Sequence, residues 1–384
     1  MTQNPIHLVY CVPSLHRSAG TERVLTAKVN YLAGHGYRIT VVTTEQGDRP
    51  PHFPLDPRVR LVDFGLHFDR HLHHPFPLKV ATHLRKLALY RRRLETLLRN
   101  DPASYCISLF GKEIDFLYKL RDPSLKVAEI HYARDFRLQF LSARKRGWFW
   151  RWLGRYRTRQ LERVTRSLHR VVVLTKADLR DWSKTHTNVI QIYNPVPFHN
   201  DRTAALDAPI ALAVGRLSPQ KGFDRLIDCW KLVAAAKPDW KLHIRGEGEL
   251  ESELRARIEE HQLGAQVLLP GNTDRVQDDY LASSLLVMSS RYEGFPMVLV
   301  EAASFGLPLV AFDCKHGPAD IIRDGWNGYL IPGDDIRLMA EKLIALMDVP
   351  ALRKEMGQHA RDTSRLFSLD TIMQQWTTLF SNGR

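Results

Sequence analysis

Apolar positions along the chain cluster into short runs separated by longer stretches with helical spacing. In the first half the runs are 6–12, 39–43, 105–109, 126–130, 171–174 and 189–192, with helical patterns such as 21–33 and 78–98 between them. Near-continuous apolar runs alternating with helices predict a parallel sheet buried on both faces. At Tyr193-Asn194-Pro195-Val196-Pro197 the periodicity stops, and a polar stretch follows to Pro209. Two prolines and the lost period make 194–208 the predicted linker. The rhythm then restarts with runs at 210–214, 242–245, 267–269, 285–288, 308–312 and 328–331, and helical patterns fill the chain from 334 on. Two successive βα series predict an α/β protein of two doubly wound domains, 1–193 and 209–384, facing across a cleft. One of the last helices is placed to pack back on the first domain.

Length agrees with this division, because 384 residues exceed what one hydrophobic core usually spans. A composition of 44% hydrophobic and 25% charged residues is that of a globular protein. Cys11, Cys106, Cys229 and Cys314 are scattered without a C-x-x-C pair, which argues against a disulfide framework or a zinc site and fits a reducing cytosol. The opening MTQNPIHLVYCVPSL lacks a basic leader and reads as a first strand. No run approaches the ~18 apolar residues of a membrane span. The net charge of +13 points to a nucleic acid, an anionic membrane surface or a phosphate-bearing substrate, without choosing among them.

Four segments carry candidate chemistry, each at the end of a predicted strand. Arg291-Tyr292-Glu293-Gly294-Phe295-Pro296 runs from the strand at 285–288 into a helix at 297–305. The start of such a helix offers free amides and partial positive charge, a phosphate site that Gly294 lets an anion approach closely. Glu293 lies on the loop, and Glu301 lies where a carboxylate accepts hydrogen bonds from ribose hydroxyls. A capping Glu293 and a solvated Glu301 are the plain alternative, but the pair frames Gly-Phe-Pro at a strand end, which favours function. Gly215-Arg216-Leu217-Ser218-Pro219-Gln220-Lys221-Gly222-Phe223 follows the first strand of the second series and puts two cations on one loop. Arg216 brings a fork and Lys221 a point charge, the pairing a diphosphate needs. Gly246-Glu247-Gly248-Glu249 is a further strand-end turn, open between turn geometry and ligand contact. Gly317-Pro318-Ala319-Asp320-Ile321 starts a helix whose amides are placed to line a sugar pocket.

Gly215–Phe223, the E-x7-E segment, 317–322 and Asp324-Gly325-Trp326-Asn327-Gly328-Tyr329-Leu330 together resemble the retaining GT-B glycosyltransferases, enzymes with two Rossmann-like domains. Members of that family assemble bacterial polysaccharide and lipopolysaccharide. The resemblance covers nearly the whole chain and is tightest in the second domain. It implies that Arg216 and Lys221 hold the donor diphosphate, that Glu293 contacts sugar hydroxyls, and that Glu301 binds the nucleotide ribose. Gly215, Gly246, Gly294, Phe295, Pro296 and Gly317 complete the implied donor site. It also implies no cofactor and no metal, in keeping with the absence of a D-x-D segment. Ser18-Ala19-Gly20-Thr21 resembles the family's Gly-rich turn after the first strand, with Ala19-Gly20 standing where Gly-Gly is usual, and Gly20 joins the donor set. His131, ending a predicted strand, matches a family histidine that reaches the sugar from across the cleft. The implied reaction moves a hexose from a nucleotide-sugar, with uridine the base by family frequency, to a cell-surface glycan. A nucleophilic carboxylate and a front-face attack both remain open.

The first domain adds a basic, aromatic segment over 137–170, in which Glu162 is the only acidic residue. Arg144, Lys145, Arg146, Trp148, Trp150, Arg151 and Trp152 suit the headgroup level of an anionic bilayer or a lipid-linked acceptor. A solvated basic face with tryptophans in the core is the alternative. A second basic cluster lies at 85–93. The expected setting is the cytoplasm, peripheral at the inner face of a membrane. Rival readings are a sugar-nucleotide epimerase of similar fold and a nucleic-acid-binding protein, while a non-catalytic scaffold is disfavoured by the intact Arg216, Lys221, Glu293 and Glu301. The nucleic-acid reading leaves the phosphate loops unexplained, so no nucleic acid is expected as partner.

Overall fold

A computed structural model describes residues 5–71, 75–132 and 148–382. They form two compact units, one running to Tyr193 and resuming at Ile372, the other spanning Asn194–Thr371.

The first unit is built on seven parallel strands, β1 (His7–Cys11), β2 (Arg38–Thr43), β3 (Arg60–Asp63), β4 (Tyr105–Ser108), β5 (Leu125–Ile130), β6 (Arg170–Val173) and β7 (Val189–Gln191), in the order β3-β2-β1-β4-β5-β6-β7. The interior strand β1 is buried throughout, as a sheet covered on both faces requires. The strand β3 was not expected from the sequence. Its Arg-Leu-Val-Asp is half exposed at the sheet edge, where no continuous apolar run is needed.

The second unit has six parallel strands, β8 (Ile210–Val214), β9 (Lys241–Arg245), β10 (Val267–Gly271), β11 (Leu285–Met288), β12 (Leu309–Phe312) and β13 (Gly328–Ile331), in the order β10-β9-β8-β11-β12-β13. The order reverses beside β8, between it and β11. Doubly wound sheets leave a crevice at such a switch point, outside the carboxyl ends of the strands.

The expected linker 194–208 is laid along the second unit. The Val196 amide donates to the Phe367 carbonyl at 2.8 Å and the Ala204 amide to the Phe305 carbonyl at 2.9 Å. Val196, Ala204 and Leu206 are buried, so this proline-broken stretch has apolar anchors that a solvated linker lacks. The final helix Leu369–Ser381 belongs from Ile372 onward to the first unit, not to a domain ending at 384. The Tyr105 hydroxyl donates towards the Leu379 and Phe380 carbonyls at 3.2 Å each, and the Lys28 ammonium sits 3.7 Å from the Trp376 ring centre. No helix of the described residues is long and apolar enough to cross a membrane.

A strand-end site in the second unit

Because β8 and β11 are hydrogen-bonded neighbours, the loops that follow them emerge side by side. They are then stitched together. The Ser289 hydroxyl donates to the Lys221 carbonyl at 2.9 Å, the Gln220 amide group to the Tyr292 carbonyl at 3.0 Å, and the Arg291 amide to the Gln220 carbonyl at 2.8 Å. Arg291 grips Asp224 with two bonds of 2.8 and 2.5 Å, and its guanidinium holds the Asp224 carboxyl below its ordinary value. Gly222, at φ +63°, is required here: a side chain would overlap the Ser289 carbonyl.

This stitching brings Lys221 and Glu293, 72 residues apart, into an ion pair of 2.6 Å. Glu293 is 7% exposed and Lys221 19%, so the pair lies in a recess, not on the surface. The Lys221 stem crosses Gly215, where a Cβ would come within 3.1–3.2 Å of its methylenes. Arg216 is exposed, and its side chain makes no hydrogen bond or ion pair with another described residue. A paired lysine and carboxylate thus lie at this strand end, with an exposed guanidinium on the lysine's own loop.

Glu301 lies on the helix Met297–Ser304, buried, with the fully buried Tyr280 hydroxyl donating to its Oε2 at 3.0 Å. Gly317, at φ +97°, follows β12, and a side chain on it would overlap Pro296. Its bare backbone therefore lets the β12 loop close against Gly294 and Pro296 at the start of that helix. The Phe295 ring is buried and packs on Phe367 at 5.7 Å between centres, which makes its side chain a core contact, not a wall of the crevice. Gly246, at φ +141°, presses on the Gly215 carbonyl, and Gly248 on that of Leu217. Close approach of the β8 and β9 loops accounts for both glycines.

In the first unit, Gly20 opens the helix Gly20–Gly34, and a Cβ on it would meet nothing within 4 Å. His131 directly follows β5, with its Nε2 3.1 Å from the Glu129 carboxylate. Glu129 is fully buried and bonded to Lys28 at 2.6 Å. Burial alone would raise its pKa, yet Lys28 and His131 outweigh this and hold it at about 2. Arg144, Lys145 and Arg146 lie outside the described residues. Trp148, Trp150, Arg151 and Trp152 fall on the helix Trp148–Arg166, and Trp152 is 55% exposed.

Residues 197–363, nearly all of the second unit, match the family Glycosyl transferases group 1. The second unit is thus similar in sequence to that family. The amylovoran biosynthesis glycosyltransferase AmsD of Erwinia amylovora is 29% identical to it over 385 aligned residues, covering 97% of this chain and 99% of that one. Solved structures resemble the whole chain. A point mutant of S. aureus TarM, in complex with fondaparinux, α-GlcNAc-glycerol and UDP, gives a TM-score of 0.78 at 19% identity over 98% of this chain and 99% of that one. WaaG, a glycosyltransferase involved in lipopolysaccharide biosynthesis, gives 0.72 at 19% identity over 97% and 99%. These likenesses make the fold GT-B, with two Rossmann-like domains.

Two residues of this crevice escaped the sequence reading. Arg225, buried on the helix Phe223–Ala236, donates to the Ser289 and Ser290 carbonyls at 2.8 and 2.7 Å, and also bonds Asp334. It fixes where the β11 loop leaves the sheet. Its position three residues after Gly222 looks like any solvated helix cation. Tyr280, the partner of Glu301, sits on the short helix Val276–Leu281 with no local pattern to mark it.

Proposed function

We propose that this glycosyltransferase moves a hexose from a uridine-diphosphate sugar to a glycan of lipopolysaccharide, capsule or another cell-surface polysaccharide, with retention at the anomeric carbon and without a metal. The carrying observation is the crevice itself, with Lys221 paired to Glu293 and Arg216 exposed on the lysine's own loop. Arg216 and Lys221 take the diphosphate, supplying the charge that a metal supplies elsewhere. Glu293 takes hydroxyls of the sugar, and Glu301, steadied by Tyr280, takes those of the ribose. Gly294, Pro296 and Gly317 shape the backbone around them. The UDP in the TarM complex and the lipopolysaccharide role of WaaG support this choice of donor and acceptor class. The acceptor is met at the cytoplasmic face of a membrane, in keeping with the exposed Trp152 on an arginine-rich helix.

The test is a panel of UDP-sugars incubated with lipopolysaccharide core or polyprenyl-linked glycans in the presence of EDTA. UDP should appear only when an acceptor is present, and the product's anomeric configuration by NMR should equal the donor's. An epimerised sugar formed without acceptor would replace transfer by epimerisation. Loss of activity in EDTA, or an inverted product, would overturn the metal-independent retaining reaction.

A further inference from the structure

The first unit carries a cavity that the proposed transfer does not use. It measures about 720 Å³ and is lined by Arg38, Arg60, Arg92, Arg93 and Asp101, with Phe64, Leu89 and Leu97 as its apolar part. Arg38 opens β2, Arg60 opens β3, and Asp101 follows the helix Phe76–Asn100. The Arg38, Arg60 and Asp101 end of the cavity therefore lies at the amino ends of these strands, while Phe64, which directly follows β3, lines it as well. Gly20 and His131 come after the carboxyl ends of β1 and β5, on the opposite edge, where doubly wound sheets bind their ligands.

Four guanidinium groups surround one carboxylate. Asp101 is ion-paired with Arg38 at 2.6 Å and accepts from Arg60 at 3.3 Å. The Arg38 Nη2 also donates to His7 Nδ1 at 2.8 Å and to the Pro102 carbonyl at 3.3 Å, and the other N–H groups of the two forks are left for a ligand. Those two side chains are 50% and 61% exposed. Arg93 spends one N–H on the Phe64 carbonyl. The Arg92 side chain makes no hydrogen bond or ion pair with another described residue. The nearest further acid on the helix, Glu95, is paired with Arg91 at 2.9 Å and does not line the cavity. Cations gathered within a Debye length of about 8–10 Å repel one another, and an entering anion relieves that cost. Forked arginines suit phosphate in particular, because each can give two parallel bonds to its oxygens. The volume falls in the range of small-molecule sites, about 300–1,000 Å³, and leaves room beyond one phosphate for the apolar lining to cover something.

We propose that this cavity binds a phosphate ester with an apolar portion, at a site separate from the donor crevice. The phosphate belongs either to a soluble ester or to the headgroup of an anionic lipid, and the probes separate the two. Octyl phosphate is titrated calorimetrically into wild type, Arg60→Gln/Arg92→Gln, Arg92→Gln alone and Lys221→Ala. Phosphatidylglycerol–phosphatidylcholine vesicles are tested by flotation with the same proteins. Wild type and Lys221→Ala should bind octyl phosphate alike, while the double variant binds at least about tenfold more weakly and Arg92→Gln falls between. Vesicle binding that weakens in step with the arginine variants identifies a lipid headgroup. Vesicle binding that is absent while octyl phosphate still binds identifies a soluble ester. Arg92→Gln breaks no hydrogen bond or ion pair with another described residue, and an unchanged urea midpoint separates its effect from a folding defect. The proposal fails if octyl phosphate does not bind, if the arginine variants bind it like wild type, or if only Lys221→Ala loses it.

Discussion

Glu301 is a carboxylate that burial would disfavour, and the Tyr280 hydroxyl at 3.0 Å is one of the groups that lets it stay in the crevice. Removing one partner of a buried hydrogen bond to a charged group exposes the desolvation cost of the other, about 1–3 kcal/mol. Tyr280→Phe should therefore lower the unfolding free energy by that order, read as a lowered urea midpoint. If Tyr280 steadies Glu301 for the ribose, the donor KM should also rise several-fold while kcat at saturating donor changes less. A stability loss with an unchanged KM would make Tyr280 purely structural. Glu129 in the first unit supports a pH prediction. Its folded pKa of about 2 lies below the ordinary 4.5, so the folded state keeps it ionised where the unfolded chain takes up a proton. The stability it contributes is complete above pH 4.5 and is lost as pH falls from there towards 2. Denaturant melts of Glu129→Gln should accordingly show a shallower acid slope than wild type across that window. Equal slopes would mean that Lys28 and His131 do not hold the charge.

At the scale of elements, the crevice is made by strand order more than by any single motif. The loops after β9, β8, β11 and β12 arise far apart in sequence and become neighbours because those strands are adjacent in that order. Periodicity predicted the strands well, since buried parallel strands advertise themselves as apolar runs. It could not say that β8 pairs with β11, so Lys221 and Glu293 were legible as chemistry and not as a contact. Arg225 and Tyr280 were illegible for the same reason: each matters through a partner on another element. The glycines divide on physical grounds as well. Gly246 proved to be demanded by loop packing, whereas Gly317 links packing to the site. A Gly317→Ala substitution forces a Cβ into Pro296 at a φ of +97°, at a cost of about 2 kcal/mol or more. It should also push the Gly294–Pro296 turn aside and weaken UDP binding by calorimetry. Gly333→Ala, at φ +61° with no neighbour within 4 Å, is the control: similar backbone strain, UDP affinity unchanged.

For the whole molecule, chain order and structural membership part company at the end. Helical periodicity after residue 334 placed one of the last helices to pack back on the first domain without saying where the chain changes sides, and from Ile372 the final helix completes the first unit. The reason lies in what that unit needs covered. Lys28 is a buried lysine, bonded to Glu129, and burial pulls its pKa below the ordinary value. The Trp376 ring, 3.7 Å from its ammonium, shields the charge while attracting it, and Phe380 packs on Tyr105 beside it. Trp376→Ala removes that ring from a fully buried site, and large aromatic truncations in cores cost about 3–5 kcal/mol. The loss should appear in the first unit, where the helix belongs. Hydrogen exchange should quicken at the amides of β1 and β4 and in the helix Gly20–Gly34, with β8 and β11 keeping their protection. If instead exchange quickened first in β8 and β11, the final helix would be stabilising the second unit, and the assignment of Lys28 as its anchor would fall.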